Sequence, residues 1–190
     1  MAQATIAHAQ FESIHPFGDG NGRTGRALIG AILRRRGVTP QTVVPVASGL
    51  LARRDDYFDA LGSYRSGDVR PLLTLMLRSA VAAAEEGRVS VQRIKQFPQQ
   101  WTEEADVRRG STAALLIPAF FDRPVMSMND IERIAGPVSQ KLYNAIASLE
   151  DAGIIQEMTG RKRDRVWAAS DVMAELEDLD IRIAAAMKQF

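Results

Sequence analysis

One short stretch of the sequence combines residue types that can bind an anion and move a proton. Residues 15–26 read His-Pro-Phe-Gly-Asp-Gly-Asn-Gly-Arg-Thr-Gly-Arg and so bring together a base, a carboxylate, four glycines and two arginines. Glycines reach backbone angles that are closed to most residues, so successive N–H groups can converge on one anion. We therefore expect Gly20, Asn21 and Gly22 to form a phosphate-binding turn.

A helix is expected to begin at this turn. Its apolar positions have helical spacing and are Ala27, Leu28, Ala31, Ile32 and Leu33. A helix start there would add free N–H groups and the positive end of the helix dipole to the anion site. Because Arg23 and Arg26 are three positions apart, both guanidinium groups would lie on one helix face, where they could bind phosphate oxygens.

Two further side chains in the stretch suit phosphate chemistry. Asp19 precedes the turn, and its carboxylate could hold a magnesium ion that also binds phosphates. His15 lies four residues earlier, and an imidazole can remove a proton from an attacking hydroxyl group near neutral pH. A glycine-rich run can also be an ordinary surface loop. The flanking residues favour a rigid loop, because Ile14 and Phe17 are predicted core anchors. His8 is predicted to be a packed or capping histidine without a site role.

The stretch resembles the signature of the Fic family, His-x-Phe-x-(Asp/Glu)-Gly-Asn-Gly-Arg-x-x-Arg. All eight fixed positions agree, namely His15, Phe17, Asp19, Gly20, Asn21, Gly22, Arg23 and Arg26. The similarity continues through residues 7–14 upstream and residues 25–29 downstream. The resemblance implies transfer of a nucleoside monophosphate, usually AMP from ATP, to a hydroxyl group of a target protein.

The resemblance also implies a role for each matched residue. His15 would be the general base, Asp19 the ligand of Mg²⁺, and residues 20–22 the anion hole. Arg23 and Arg26 would hold the outer phosphates of ATP. These roles agree with the charge that develops on the transferred phosphoryl group and on the departing pyrophosphate. The same loop could use another nucleotide or phosphate donor.

The position of the signature in the chain departs from the family pattern. A Fic domain normally has several helices and a β-hairpin flap before the signature, whereas fourteen residues precede His15 here. We therefore expect residues 1–105 to be the C-terminal part of a Fic domain, with low or no activity on its own. The alternative is a DNA-binding transcriptional regulator or docking protein in which the nucleotide site is a vestige.

Composition places further bounds on the protein. The chain has 190 residues, 46% of them hydrophobic, with a net charge of +1 and no cysteine, which suits two modest domains of a mainly α protein. Disulfides and thiolate zinc sites are excluded. The sequence contains no apolar run of about 18 residues and does not begin like a signal peptide. These features predict a cytoplasmic protein without a membrane partner.

Several helices are predicted between the signature and residue 105. Residues 50–64 are expected to form one helix with Leu51, Phe58 and Leu61 in the core. Tyr57 and Tyr64 on this helix could line a pocket for a base, although aromatic residues at helical spacing are usually core residues. Asp68 is the expected cap of a helix over residues 69–96, and Pro98 is expected to end or kink it. Trp101 is expected to pack at the junction with the next domain.

Residues 106–170 have the pattern of a small α/β domain. Helices are predicted over residues 111–121, 127–135 and 137–151, followed by strands over residues 154–158 and 165–169. This order resembles a winged helix-turn-helix domain, whose third helix would enter the major groove of DNA. The implied DNA contacts are Gln140, Lys141, Tyr143 and Asn144 on the helix and Arg161, Lys162, Arg163 and Arg165 on the wing.

The charge of this domain leaves its partner open. It has 9 basic and 8 acidic residues, so its net charge is far smaller than that of a typical DNA-binding domain. The alternative is a dimerisation or substrate-docking surface with a solvated basic wing. Residues 171–190 are predicted to form an acidic C-terminal helix that either packs on this domain or pairs with a second copy of the chain.

Overall fold

The protein is described by a computed structural model that covers residues 1–161 and 163–190. The prediction of a mainly α fold is confirmed, because most elements are helices and the one sheet is small and antiparallel in the residues that the structure describes. Two compact units are present: unit 1 contains residues 1–89 and 179–190, and unit 2 contains residues 90–178. In the part of the chain that the structure describes, every helix is too short or too polar to cross a bilayer.

Ten helices and three strands are present in the described residues. They are α1 (Ala2–Ile14), α2 (Asn21–Arg35), α3 (Val46–Ala52), α4 (Arg54–Arg65), α5 (Arg70–Ile94), α6 (Phe97–Glu104), α7 (Thr112–Asp122), β1 (Val125–Ser127), α8 (Met128–Ala135), α9 (Gln140–Asp151), β2 (Ile155–Glu157), β3 (Val166–Ala169) and α10 (Ser170–Met187). The predicted domain boundary at residue 105 stays a prediction. The division between units 1 and 2 falls within two helices, after residue 89 in α5 and after residue 178 in α10.

Unit 1 is a helical assembly in which α1 packs extensively against α2. Its main core joins α2, α3, α5 and the end of α10 through Ile29, Leu33, Leu50, Met76 and Ile183. A smaller cluster joins α1, α4 and α5 through Ala9, Ala60, Leu61 and Leu72. Burial of these apolar side chains provides the main driving force that holds the helices together.

Residues 50–64 do not form the single helix that was predicted. Helical structure is interrupted between α3 and α4 at Arg53, whose φ of −125° and ψ of 49° are not helical. The Arg53 N–H group still bonds the Leu50 carbonyl, at 3.2 Å, and the Arg53 carbonyl accepts the Tyr57 N–H group, at 2.9 Å. This interruption changes the direction of α4 relative to α3. The spacing of apolar residues alone does not predict such a change.

Four apolar residues that were predicted to lie in the core are exposed. Ile14 and Phe17 are exposed beside the signature loop, where Phe17 contacts the Phe11 ring at a centroid distance of 6.0 Å. Leu51 is 73% exposed, and Phe58 is also exposed. The prediction was wrong because helical spacing indicates a shared face but not what covers it. Predicted burial of Leu61 and His8 is confirmed.

The bounds of α5 lie within two residues of the predicted ones. The Asp68 carboxylate accepts the Arg70 N–H group at 3.0 Å, as a capping side chain does. The helix ends at Ile94, before Pro98, and Pro98 instead lies in the first turn of α6. A proline is tolerated there because the first N–H groups of a helix have no intrahelical partner.

Unit 2 contains three capped helices and the sheet. Ser111, Ser127 and Ser139 each accept a backbone N–H group at the start of α7, α8 and α9. The sheet has the order β1-β3-β2 with both pairs antiparallel, and Met126 pairs with Trp167. Strand β1 was not predicted, since three residues are too few to show alternation. Trp101, on α6, is fully buried in the core of this unit.

Candidate functional site

His15 lies where α1 ends and the signature loop begins. It has a left-handed conformation with φ of 51° and ψ of 57°, and its N–H group bonds the Phe11 carbonyl at 2.9 Å. This conformation is uncommon outside glycine, although histidine is among the residues that adopt it more often. The backbone therefore leaves the helix at His15, and its side chain is exposed to solvent.

The loop is closed by Asn21, the first residue of α2. Its amide oxygen accepts the Phe17 N–H group at 2.9 Å, and its amide nitrogen donates to the Phe17 carbonyl at 2.5 Å. Asn21 is only 2% exposed, so the clamp is shielded from water. The sequence predicted a role only for the Asn21 backbone N–H group, and this role of the side chain was not foreseen.

The start of α2 has the geometry of an anion-binding turn. Gly20 has a φ of 82°, and the first intrahelical hydrogen bond runs from the Thr24 N–H group to the Gly20 carbonyl at 3.0 Å. The N–H groups of residues 21–23 therefore precede any helical acceptor. A Cβ atom at Gly20 would lie 3.7 Å from Arg23 Nη2, and one at Gly22 would lie 3.2 Å from Arg26 Nη1. Both guanidinium groups thus lie close to the glycine backbone.

Asp19 lies beside this turn. Its carboxylate contacts Arg23 Nη2 at 3.2 Å, and both side chains are highly exposed, so the ion pair contributes little to stability. No group of three or more candidate metal ligands occurs in the described residues. Mg²⁺ is often bound by one or two carboxylates together with substrate phosphates, and a lone exposed Asp19 fits that mode only.

A cavity of about 330 Å³ adjoins Arg26. It is lined by Arg26, Ala47, Ser48, Leu50, Leu51, Arg54, Tyr57 and Phe58. The exposure of Leu51 and Phe58 follows from their place in this cavity wall. Tyr64 is not among the lining residues; its hydroxyl donates to Gln10 Oε1 at 2.8 Å. The lining role of α3 was missed, because this helix comes close to Arg26 only in the folded chain.

A buried polar cluster lies behind the signature loop. His8 is fully buried, and its Nε2 atom lies 2.9 Å from the Tyr57 hydroxyl. Burial lowers the pKa of His8 below 6.5, although the Gly25 backbone and the Glu12 carboxylate oppose the shift. Burial, together with the Glu12 charge, raises the pKa of Tyr57 to about 12. Both side chains are therefore uncharged at neutral pH.

The predicted DNA-contacting residues of α9 are exposed on unit 2. Gln140, Lys141, Tyr143 and Asn144 all lie on this surface, where the Gln140 amide donates to Asn144 Oδ1 at 2.8 Å. A groove of about 290 Å³ brings Lys141 and Asn144 together with Arg108 and Ser111 at the start of α7. This groove was not foreseen, because Arg108 precedes the first predicted helix of the domain.

The predicted wing residues differ in their surroundings. Arg161 and Arg163 are exposed, and Lys162 lies outside the described residues. Arg165 is partly buried; its guanidinium group lies 4.7 Å from the centroid of the Trp167 ring and 3.7 Å from Glu150 Oε1. The Trp167 indole also donates to Glu150 Oε1, at 2.9 Å. Arg165 is thus engaged within the unit.

Known proteins resemble the N-terminal part of the chain. Residues 1–33 match the family model described as the Fic/DOC family. A protein adenylyltransferase Fic of Nematostella vectensis is 39% identical over 75 residues, which is 40% of this chain and 16% of that protein. Protein adenylyltransferase fic-1 of Caenorhabditis elegans is 35% identical over 85 residues, which is 45% of this chain and 16% of that protein.

The shared region is a small part of these relatives. A protein adenylyltransferase Fic of Aedes aegypti is 39% identical over 70 residues, covering 37% of this chain and 13% of that protein. The matches therefore span about one sixth or less of the length of the three relatives. The part of this chain that matches the Fic/DOC family model, residues 1–33, contains α1, the signature loop and most of α2.

Proposed function

We propose that the signature loop transfers AMP from ATP to a hydroxyl group of a target protein. The proposal is carried by one observation: the Arg23 and Arg26 guanidinium groups lie over the glycine backbone at the start of α2. Helix N–H groups and arginines there would hold a polyphosphate. The relatives are named protein adenylyltransferases, which agrees with this chemistry.

His15 would act as the general base in the transfer. Its imidazole takes the proton from a Ser, Thr or Tyr hydroxyl, and the hydroxyl oxygen forms a bond to the α-phosphorus of ATP. The bond from that phosphorus to the bridging oxygen breaks, and pyrophosphate leaves with the electron pair. The N–H groups at the turn and the two arginines offset the charge that develops on the phosphates.

Asp19 would hold the Mg²⁺ ion, which supplies neutralisation of the phosphate charges when bound. The Asp19 carboxylate lies beside the turn, 3.2 Å from Arg23 Nη2. The nucleoside would occupy the cavity next to Arg26. The side chains of Leu51, Tyr57 and Phe58 in the wall of this cavity offer apolar contact to a base and ribose. In this arrangement the triphosphate and the nucleoside have separate binding surfaces.

The proposal is tested with ATP labelled on the α-phosphate. Wild-type chain and the His15→Ala variant are incubated with Mg²⁺ and cell extract, and label retained on protein is measured. We expect label with wild type only, while ATP binding survives the substitution. Arg26→Ala should weaken ATP binding, whereas Arg35→Ala, which removes an exposed arginine at the other end of α2, should not. Equal labelling by wild type and His15→Ala would reject the assigned role.

A second candidate function is DNA binding by unit 2 as a winged helix-turn-helix domain. It is supported by the order α7-β1-α8-α9-β2-β3 and by the groove that brings Lys141 and Arg108 to the start of α7. Such cations would contact DNA phosphates. Gel-shift titrations at several salt concentrations test it: Lys141→Ala should reduce the salt slope by about 1, and Lys188→Ala, in unit 1, should not. Absence of salt-dependent affinity would exclude this function.

A further inference from the structure

We propose that His8 is a positioning residue for nucleoside binding, because its hydrogen bond holds the Tyr57 ring in the wall of the 330 Å³ cavity beside Arg26. The inference rests on the proposed nucleotide site and assigns it a residue outside the signature. His8 lies seven positions before His15. It reaches the cavity wall through Tyr57 and does not itself line the cavity, so it is distinct from the groups that would touch substrate.

The imidazole of His8 has little freedom to move. It is fully buried on α1, with its Nε2 atom 2.9 Å from the Tyr57 hydroxyl on α4. A Cβ at Gly25 on α2 would clash with Glu12 Oε1 and would lie 3.1 Å from His8 Nδ1, so the absence of a side chain at Gly25 makes the space for both groups. No hydrogen bond of standard geometry to Nδ1 occurs within the described residues. The Tyr57 bond is therefore the strong directional contact of this ring.

This bond restricts the Tyr57 side chain. A buried hydroxyl without a partner is costly, so the ring is held in the orientation in which its hydroxyl meets His8. In that orientation the ring centroid is 5.4 Å from the centroid of Phe58, and both rings line the cavity. Holding a binding wall in place before the ligand arrives saves the ordering cost of binding. Loss of the bond should therefore weaken binding of the nucleoside and not of the phosphates.

The same two helices provide a matched control. The Tyr64 hydroxyl on α4 donates to Gln10 on α1 at 2.8 Å, so a second tyrosine hydrogen bond joins α1 and α4. It is exposed, and Tyr64 does not line the cavity. Removing either bond loosens the same pair of helices, but only the His8 bond reaches the cavity wall. A difference between the two variants therefore separates positioning from general packing.

The test compares three ligands in the full chain with Mg²⁺: ATP, adenosine and inorganic tripolyphosphate. Dissociation constants are measured by calorimetry for wild type, His8→Leu, Tyr57→Phe, the double variant, and Tyr64→Phe as control. We expect His8→Leu and Tyr57→Phe each to weaken ATP and adenosine binding about five- to tenfold, as loss of one hydrogen bond between neutral groups does. The double variant should be no weaker than either single variant, since both remove the same interaction. His8→Gln, which offers a polar atom near the position of Nε2, should restore part of the affinity.

Each result decides the question. Tripolyphosphate affinity and the Tyr64→Phe variant should be unchanged. If tripolyphosphate weakens as much as ATP, or if the two single effects multiply in the double variant, His8 does not act by positioning Tyr57. If wild type binds ATP and the variants bind it equally well, the inference alone fails. If wild type binds no ATP, the proposed function fails and the role of His8 fails with it. Should His8→Leu not fold, Tyr57→Phe carries the same selectivity test.

Discussion

The close contact between α3 and α5 leads to a quantitative prediction for Gly49→Ala. A Cβ atom at Gly49 would lie 2.6 Å from Ser79 Cβ and 2.8 Å from Ser79 Cα. Ordinary contact begins at 3.4 Å, so the two helices would have to separate locally by about 0.8 Å. Because a backbone atom is involved, no side-chain rotation relieves the clash. Separation of α3 would also disturb the wall of the cavity beside Arg26.

The expected cost combines two opposing effects. Overpacking a tight core costs about 1–3 kcal/mol, and the clash with a backbone atom places Gly49→Ala in the upper half of that range, at about 2–3 kcal/mol. A helical alanine recovers about 0.8–1 kcal/mol relative to glycine. We therefore expect Gly49→Ala to lower the free energy of unfolding by about 1–2 kcal/mol. Gly62 on α4 is the control, because a Cβ there meets nothing within 4 Å. Gly62→Ala should raise the free energy of unfolding by about 0.5–1 kcal/mol.

Thermal unfolding followed by far-UV circular dichroism measures both variants. For a chain of this size each kcal/mol changes Tm by about 2–4 °C. Gly49→Ala should therefore unfold about 2–8 °C below wild type, and Gly62→Ala slightly above it. A Gly49→Ala variant as stable as Gly62→Ala would refute the packing of α3 on α5 described here.

Three other substitutions or conditions have defined outcomes. Asn21→Ala removes both hydrogen bonds that close the signature loop, so tripolyphosphate affinity should fall about tenfold in calorimetric titrations; unchanged affinity would contradict the clamp. The folded-state pKa of His8 lies below the value of 6.5 for the unfolded chain, so the unfolded chain binds more protons between the two values and stability falls as pH decreases through about 6.5. Urea unfolding at pH 7.5 and 5.5 should show this loss, and His8→Gln should remove that part of it. Arg165→Ala should destabilise the chain by about 1 kcal/mol through loss of its contact with the Trp167 ring, whereas Arg161→Ala, at an exposed position, should leave Tm unchanged.

Local patterns were sufficient to predict most helices and the composition of the signature loop. Serine caps such as Ser111 and Ser127 are readable because the cap and the N–H group it accepts lie three residues apart. The turn at Gly20 is readable for the same reason, since left-handed backbone is a property of the residue itself. The short strand β1 and the break at Arg53 were not predicted, because pairing and helix packing decide them.

The sequence by itself determined the family resemblance and the mainly α composition. It also determined that His15, Asp19, Arg23 and Arg26 lie within twelve consecutive residues. These features depend on residues that are close in sequence. Only the tertiary structure decided that the Tyr57 ring meets His8, that α3 and α4 build a cavity beside Arg26, and that Arg165 is engaged within unit 2. Such contacts join residues far apart in the chain, and helical periodicity specifies which face a side chain occupies but not the element that will cover it.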